Sequence, residues 1–334
     1  MEIALKLAFS VGVMFIMMAP GIILKKCGLS VDGLGKGLSN LVLYVAQPVL
    51  VFSAYLREFD AEILLGSLYV LIFSVVAHGI FTLVAMLSFK KAPDAIRRML
   101  RFATIFSNAA FMGMPLIEAV LGAESLIYAS VYNITFNVFL WSLGVHICTA
   151  DRDYNADGKI DEHTDGVIEK KHKSEVSIAK VLLHPVTLAA ILGLVFFFLP
   201  LSKDDVPELI TQCLDKISAL VAPLSMIVLG LRLAELDLKG FFKDINLYVF
   251  LALRHVILPA IVWGVMRLCI LFGLGIEYEV VASVLIMAAA PAATSATMFA
   301  EKYNCDAAYV SKIVAASTIL SLVTMPLVIM LATI

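Results

Sequence analysis

The sequence predicts an all-α polytopic membrane protein of about ten transmembrane helices, built as two five-helix halves of opposite orientation. Three observations carry this expectation. Hydrophobic residues make up 61% of the chain and charged residues 16%, with a mean hydropathy of +0.96, which leaves too little charge to cover a water-soluble domain. The apolar excess falls in runs of about twenty residues, the length that crosses a hydrocarbon core roughly 30 Å thick. One long polar stretch, residues 150–178, separates these runs into two equal sets.

In chain order the spans are expected near residues 4–24, 37–56, 63–87, 101–121 and 125–149, then 179–200, 210–234, 245–273, 278–300 and 308–333. The N-terminal run, MEIALKLAFSVGVMFIMMAPGIIL, lacks a basic start and a small-residue cleavage site, so it reads as the first span and not as a removable signal. Most connections are short, as antiparallel neighbours require. Residues 1–149 form the first repeat, 150–178 a linker and 179–334 the second repeat.

Lysine and arginine fix the orientation. With the N-terminus outside, the inner connections hold Lys25, Lys26 and Lys36, then Lys90, Lys91, Arg97, Arg98 and Arg101. The linker and its flank add Arg152, Lys159, Lys170, Lys171, Lys173 and Lys180, and Arg232, Lys239, Lys243, Lys302 and Lys312 complete the inner set. Only Lys6, Arg57, Lys203, Lys216 and Arg267 fall outside, a bias of roughly four to one. Both termini are therefore expected outside a cell membrane, with the linker cytoplasmic.

An odd number of spans per half inverts the second half relative to the first. Weak internal matches accompany the equal counts: YVAQPVLVFS (44–53) with LVAPLSMIVLG (220–230), and LIYAS (126–130) with AAYVS (307–311).

The fourth and ninth spans carry the chemistry. RFATIFSNAAFMGMPLIEAVLG (101–122) contains Asn108, Gly113 and Pro115; ASVLIMAAAPAATSATMFAEKY (282–303) contains Pro291, Thr294, Ser295 and Thr297. Proline lacks an amide hydrogen and opposes the carbonyl four residues back, and it pushes the residue before it from helical geometry. A break is therefore expected at Gly113–Pro115, with Met114 leaving the helix, and another at Pro291. Unpaired backbone groups in hydrocarbon cost several kcal/mol each, as a rough figure, so breaks survive only where protein or a watery cavity surrounds them. Two opposed half-helix N-termini at the midplane, each with roughly half a positive charge, favour an anion. The Asn108 amide and the hydroxyls of Thr294, Ser295 and Thr297 add directional hydrogen bonds. The plainer alternative is a pair of kinks that only shape packing.

Two ionisable groups lie within spans. Arg254 either meets a substrate carboxylate bidentately or serves a structural ion pair or snorkels inward; Glu118 either couples protons or lines an outer vestibule. Other signals point away from known chemistries. A formal charge of −2 offers no basic excess for nucleic acid. Five cysteines without paired spacing suggest neither disulfides nor zinc, and no cofactor or ATPase element is evident. No catalytic constellation points to an enzyme. The linker segment 153–164 resembles an EF-hand loop through Asp153, Asn155, Asp157 and Asp161, but Thr164 stands where a bidentate glutamate is needed.

SNAAFMGMPLIEAVLG (107–122) resembles the broken fourth helix of the auxin efflux carrier family, and MAAAPAATSATMFAEKYNCDAAYVS (287–311) resembles its ninth. LYVAQPVLVFS and APLSMIVLG resemble the second and seventh. The resemblance spans nearly all the chain except the linker. It implies an alternating-access carrier with a scaffold of spans 1, 2, 6 and 7, a mobile bundle of spans 3–5 and 8–10, and a homodimer. By motif position Asn108 and Pro115 match family substrate-site and crossover residues. Ala296 stands where plant carriers have a second proline, and the linker is short, so the chain looks like a prokaryotic member. The resemblance implies a small organic anion as substrate: malate, malonate or an auxin-like acid. The alternatives are a neutral solute moved with a proton or sodium ion bound at the crossover, or a membrane ligand sensor.

Overall fold

The computed structural model describes residues 2–149, 183–199, 202–234, 244–303 and 305–332. The linker, with its EF-hand-like loop, lies outside them. Among the described residues the architecture is all helical, and the one β-type feature is an isolated bridge.

Among the described residues, seven helices are long and apolar enough to cross a membrane: Phe9–Lys26, Leu34–Tyr55, Ala61–Leu87, Ala123–Thr149, Glu208–Ala234, Ile245–Leu271 and Ala307–Ala332. Three shorter apolar helices, Ala109–Leu121, Pro185–Phe197 and Tyr278–Ala289, stand among them. Their outer faces are rich in exposed leucine, isoleucine, valine and phenylalanine, such as Phe9, Leu83, Leu188 and Phe272, as lipid-facing surface demands.

Numbered in order, the α-helices that matter below are α1 (Glu2–Ile16), α2 (Ala19–Lys26), α3 (Leu34–Leu41), α4 (Gln47–Tyr55), α5 (Ala61–Leu87) and α6 (Asp94–Ile105). They continue with α7 (Met114–Leu121), α8 (Leu126–Phe139), α9 (Val145–Thr149), α10 (Pro185–Phe197) and α11 (Glu208–Ser218). The remainder are α12 (Val221–Ala234), α13 (Ile245–Ala252), α14 (Leu258–Leu271), α15 (Tyr278–Ala289), α16 (Ser295–Lys302) and α17 (Ala307–Ala332).

Prolines explain several irregularities. Pro20 sits in the first turn of α2, where its missing N–H is harmless, and the first long helix resets there. π-turns at Val42–Ala46, Ala109–Gly113 and Leu253–Ile257 each end two residues before a proline, Pro48, Pro115 and Pro259. The wider turn takes up the strain where the proline ring opposes the carbonyl four residues back.

Two helix pairs pack most intimately. α2 lies against α12, where Gly21 faces the Ile227 carbonyl and Gly230 faces the Met18 carbonyl, so that a Cβ at either position would meet backbone. α4 packs on α10, where Gly193 sits against the Tyr55 ring. Small residues let helices approach this closely where lipid offers no hydrophobic drive to associate. A second group gathers α5, α8 and α17 around the interrupted helices, and its buried core includes Phe81, Phe102, Phe106, Tyr132 and Met287.

Candidate functional site: the crossing of two interrupted helices

The predicted fourth span is interrupted, but not at its proline. α6 ends at Ile105; Phe106 is extended (φ −96°, ψ 118°), Ser107 forms the bridge, and the helix resumes through the π-turn that begins at Ala109. Met114 is helical (φ −61°, ψ −50°), which corrects the expected opening at Gly113–Pro115. The reason is local: the π-turn absorbs the ring clash, and the helix runs on from it through Pro115 into α7. Gly113 serves packing instead. A Cβ there would lie 2.7 Å from the Met287 sulfur, so the glycine lets the fourth helix approach α15.

The ninth span breaks at its proline. α15 ends at Ala289, Ala290 is extended (φ −52°, ψ 148°), and α16 starts at Ser295. The two gaps meet. Asn108 N–H donates to the Pro291 carbonyl at 2.7 Å, and Ala293 N–H donates to the Phe106 carbonyl at 3.0 Å, forming the antiparallel Ser107–Ala292 bridge. Ala292 N–H is held by the Ser317 hydroxyl oxygen at 2.9 Å, and Ser317 also bonds the His255 ring at 2.8 Å. The opened backbone is thus satisfied by protein, as hydrocarbon burial requires.

Arg254 closes the other ends. The π-turn Leu253–Ile257 turns both Arg254 and His255 inward, and Arg254 has no exposed surface. Its Nε donates to the Ala290 carbonyl at 3.1 Å and its Nη2 to Ala290 and Ala288 at 2.6 and 2.8 Å. Its Nη1 reaches the Thr104 carbonyl at 3.1 Å, and the guanidinium lies 5.4 Å from the centre of the Phe81 ring. These carbonyls are the C-terminal ends of α6 and α15. Each end carries roughly half a negative charge, so two together balance about one guanidinium. An uncompensated buried charge would cost several kcal/mol, roughly, which explains why every hydrogen bond here runs to an opened carbonyl.

The predicted residues are only partly brought together. Asn108 and Pro291 meet at the crossing, and both are buried. The Asn108 Nδ2 atom is buried there without a hydrogen-bond partner. Thr294 and Thr297 line a cavity of about 480 Å³ that opens between α12, α16 and α17. Ser295 is half-buried at the start of α16, and Gly113 and Pro115 are buried; none of the three lines that cavity. Glu118 is half-buried in a separate, smaller cavity of about 270 Å³, with Ser53, Lys203 and Asp215; Lys203 pairs with Asp215 at 3.0 Å.

Several contributors were not among the residues that the sequence assigned to the site. Arg232, Asp306, Tyr309, Lys312 and Thr318 line the larger cavity beside Thr294 and Thr297. Gln47, at the start of α4, donates to the Ala110 carbonyl at 3.1 Å and the Met114 sulfur at 3.0 Å, tying α4 to the π-turn. Ser317 has a sequence signal: Ser317, Ser321 and Thr324 recur at i, i+4 and i+7, a polar stripe in an otherwise apolar helix.

Comparison with known proteins adds the family. The profile described as "Membrane transport protein" matches residues 9–329. An uncharacterized transporter of Methanothermobacter thermautotrophicus is 25% identical over 309 residues, covering 92% of each chain. An uncharacterized transporter of Methanocaldococcus jannaschii is 22% identical over 319 residues, covering 94% of this chain and 95% of the relative.

Proposed function

Since the chain belongs to the membrane transport protein family, which includes the auxin efflux carriers, and is a membrane transporter, we propose that it is a secondary carrier of small organic anions. The substrate would bind where the fourth and ninth helices cross. The observation that carries the reading is the buried, unpartnered Asn108 amide at that crossing, beside two half-helix N-termini. The C-terminal, negative ends are already occupied by Arg254, so the ends left to meet a solute are the positive ones.

The cavity reaching Thr294 and Thr297 suits this role. Its volume of about 480 Å³ lies within the usual range for small-ligand sites, and Arg232 and Lys312 outnumber Asp306 along its lining. Such a lining raises the local concentration of anions. Thr297 donates to the Thr294 carbonyl at 2.8 Å, which leaves its hydroxyl oxygen free to accept and the Thr294 hydroxyl free to donate.

Transport would proceed by alternating access within a ten-span inverted repeat. The reciprocal packing of α2 on α12 and of α10 on α4 supports this, because a duplication that exchanges the first span with the sixth and the second with the seventh converts one pair into the other. These four spans would form the scaffold, and the helices around the crossing the mobile bundle. Both termini would lie outside the cell membrane with the linker cytoplasmic. The family resemblance supports a homodimer, and Glu118, in its outer cavity beside Lys203, is the candidate for proton coupling.

Competition for radiolabelled malate uptake by proteoliposomes tests the substrate class. Excess malonate or indole-3-acetate is expected to suppress uptake, and the uncharged diamide of malate to leave it unchanged. Suppression by the diamide would favour the neutral-solute reading, and binding of malate without flux would favour a sensor.

A further inference from the structure

We propose that Arg254 is a built-in counter-cation: it occupies the carbonyl cluster at the helix breaks that a coupling sodium ion would otherwise fill, so that transport runs without sodium. The inference rests on the carrier reading above, but its test is separable from it.

Interrupted membrane helices present two kinds of end. N-terminal ends suit anions, whereas C-terminal ends and unwound carbonyls form the oxygen cage that takes a small cation. Here three carbonyls of the second kind are taken by one side chain. The carbonyls of Thr104, Ala288 and Ala290, drawn from both interrupted helices, converge on one guanidinium through four hydrogen bonds of 2.6 to 3.1 Å. Three structural features show that the position is built rather than incidental. The π-turn Leu253–Ile257 directs the side chain inward. The Phe81 ring covers the guanidinium face. The residue has no exposed surface. No carboxylate takes part among these contacts, so the partner of the charge is the pair of helix ends itself. An arginine remains protonated throughout physiological pH and cannot leave its helix. A cation that is always present carries no gradient energy into the cycle.

Arg254 also joins three helices, because it stands between α13 and α14 and bonds the C-terminal ends of α6 and α15. It therefore acts as a positioning residue. It holds the two breaks in register without touching the solute.

The test is malate uptake by the full chain in proteoliposomes, with sodium replaced on both sides by N-methylglucamine. Wild-type uptake is expected to stay within about twofold; stimulation by sodium of about tenfold or more would overturn the proposal. Arg254→Ala is expected to lose at least about tenfold of the flux and to regain part of it when guanidinium or sodium is added at high concentration. Undiminished flux in Arg254→Ala without an added cation would also overturn it, as would a loss that neither guanidinium nor sodium rescues, since a residue that only packs is not replaced by a free ion. If Arg254→Ala does not fold, a thermal-shift measurement on the wild type decides: sodium is expected to leave its melting temperature unchanged, and a sodium-specific rise contradicts the proposal. That readout needs no transported solute, so failure of malate uptake would count against the carrier reading alone.

Discussion

Asn108 donates its backbone N–H to the Pro291 carbonyl across the gap between two interrupted helices, at 2.7 Å. The bond and its companion, from Ala293 to Phe106, make each break the solution to the other: groups that helical geometry abandons in one are paired by the other. Pairing of this kind fixes the half-helix ends opposite one another, with Asn108 at the junction.

Pro291 and Pro115 should therefore differ in consequence. Pro291→Ala allows α15 to continue through the gap and removes the geometry that presents its carbonyl to Asn108. Its flux is expected to fall at least about tenfold. Pro115→Ala acts within a helix that already runs on past the proline, and flux is expected to stay within about twofold. Parallel uptake assays on the two variants check the ordering.

The glycines of the α2–α12 contact should be sensitive. Gly21→Ala places a methyl group against the Ile227 carbonyl and the Leu231 amide, both backbone, so the helices must separate. A loss of about 1–3 kcal/mol is expected, seen as a lower melting temperature of the purified protein in detergent. Gly79→Ala in α5 is the control: nothing lies within 4 Å of the added carbon, and no loss is expected.

Gln47 is buried and donates to the Ala110 carbonyl and the Met114 sulfur. Gln47→Leu keeps the volume but removes the donor, leaving the carbonyl of a π-turn without that bond. About 1–3 kcal/mol of stability should be lost, measured by thermal unfolding.

The all-helical, membrane-spanning character and one of the two breaks were legible in the sequence for clear physical reasons, whereas only seven of the ten expected spans are long enough to cross a membrane among the described residues. Apolar runs of spanning length need no tertiary context, and Pro291 interrupts its own helix. Pro115 misled because a π-turn upstream accommodated it, moving the opening to Phe106–Asn108. Arg254 was visible as a buried charge, but its partners were not. They are backbone carbonyls exposed only where two distant breaks converge, and carbonyls carry no residue identity to read. The lining of the larger cavity was likewise hidden, since Arg232 and Lys312 look in sequence like ordinary inner-face cations.

The most direct test of the central claim is saturable uptake of radiolabelled malate and malonate by proteoliposomes containing wild type, Asn108→Ala or Asn108→Asp, with folding checked by melting temperature. The wild type is expected to take up both, Asn108→Ala to lose at least about tenfold, and Asn108→Asp to lose more, because its carboxylate would compete for the helix N-termini. Wild-type uptake that both folded variants retain in full would contradict a substrate site at the crossing.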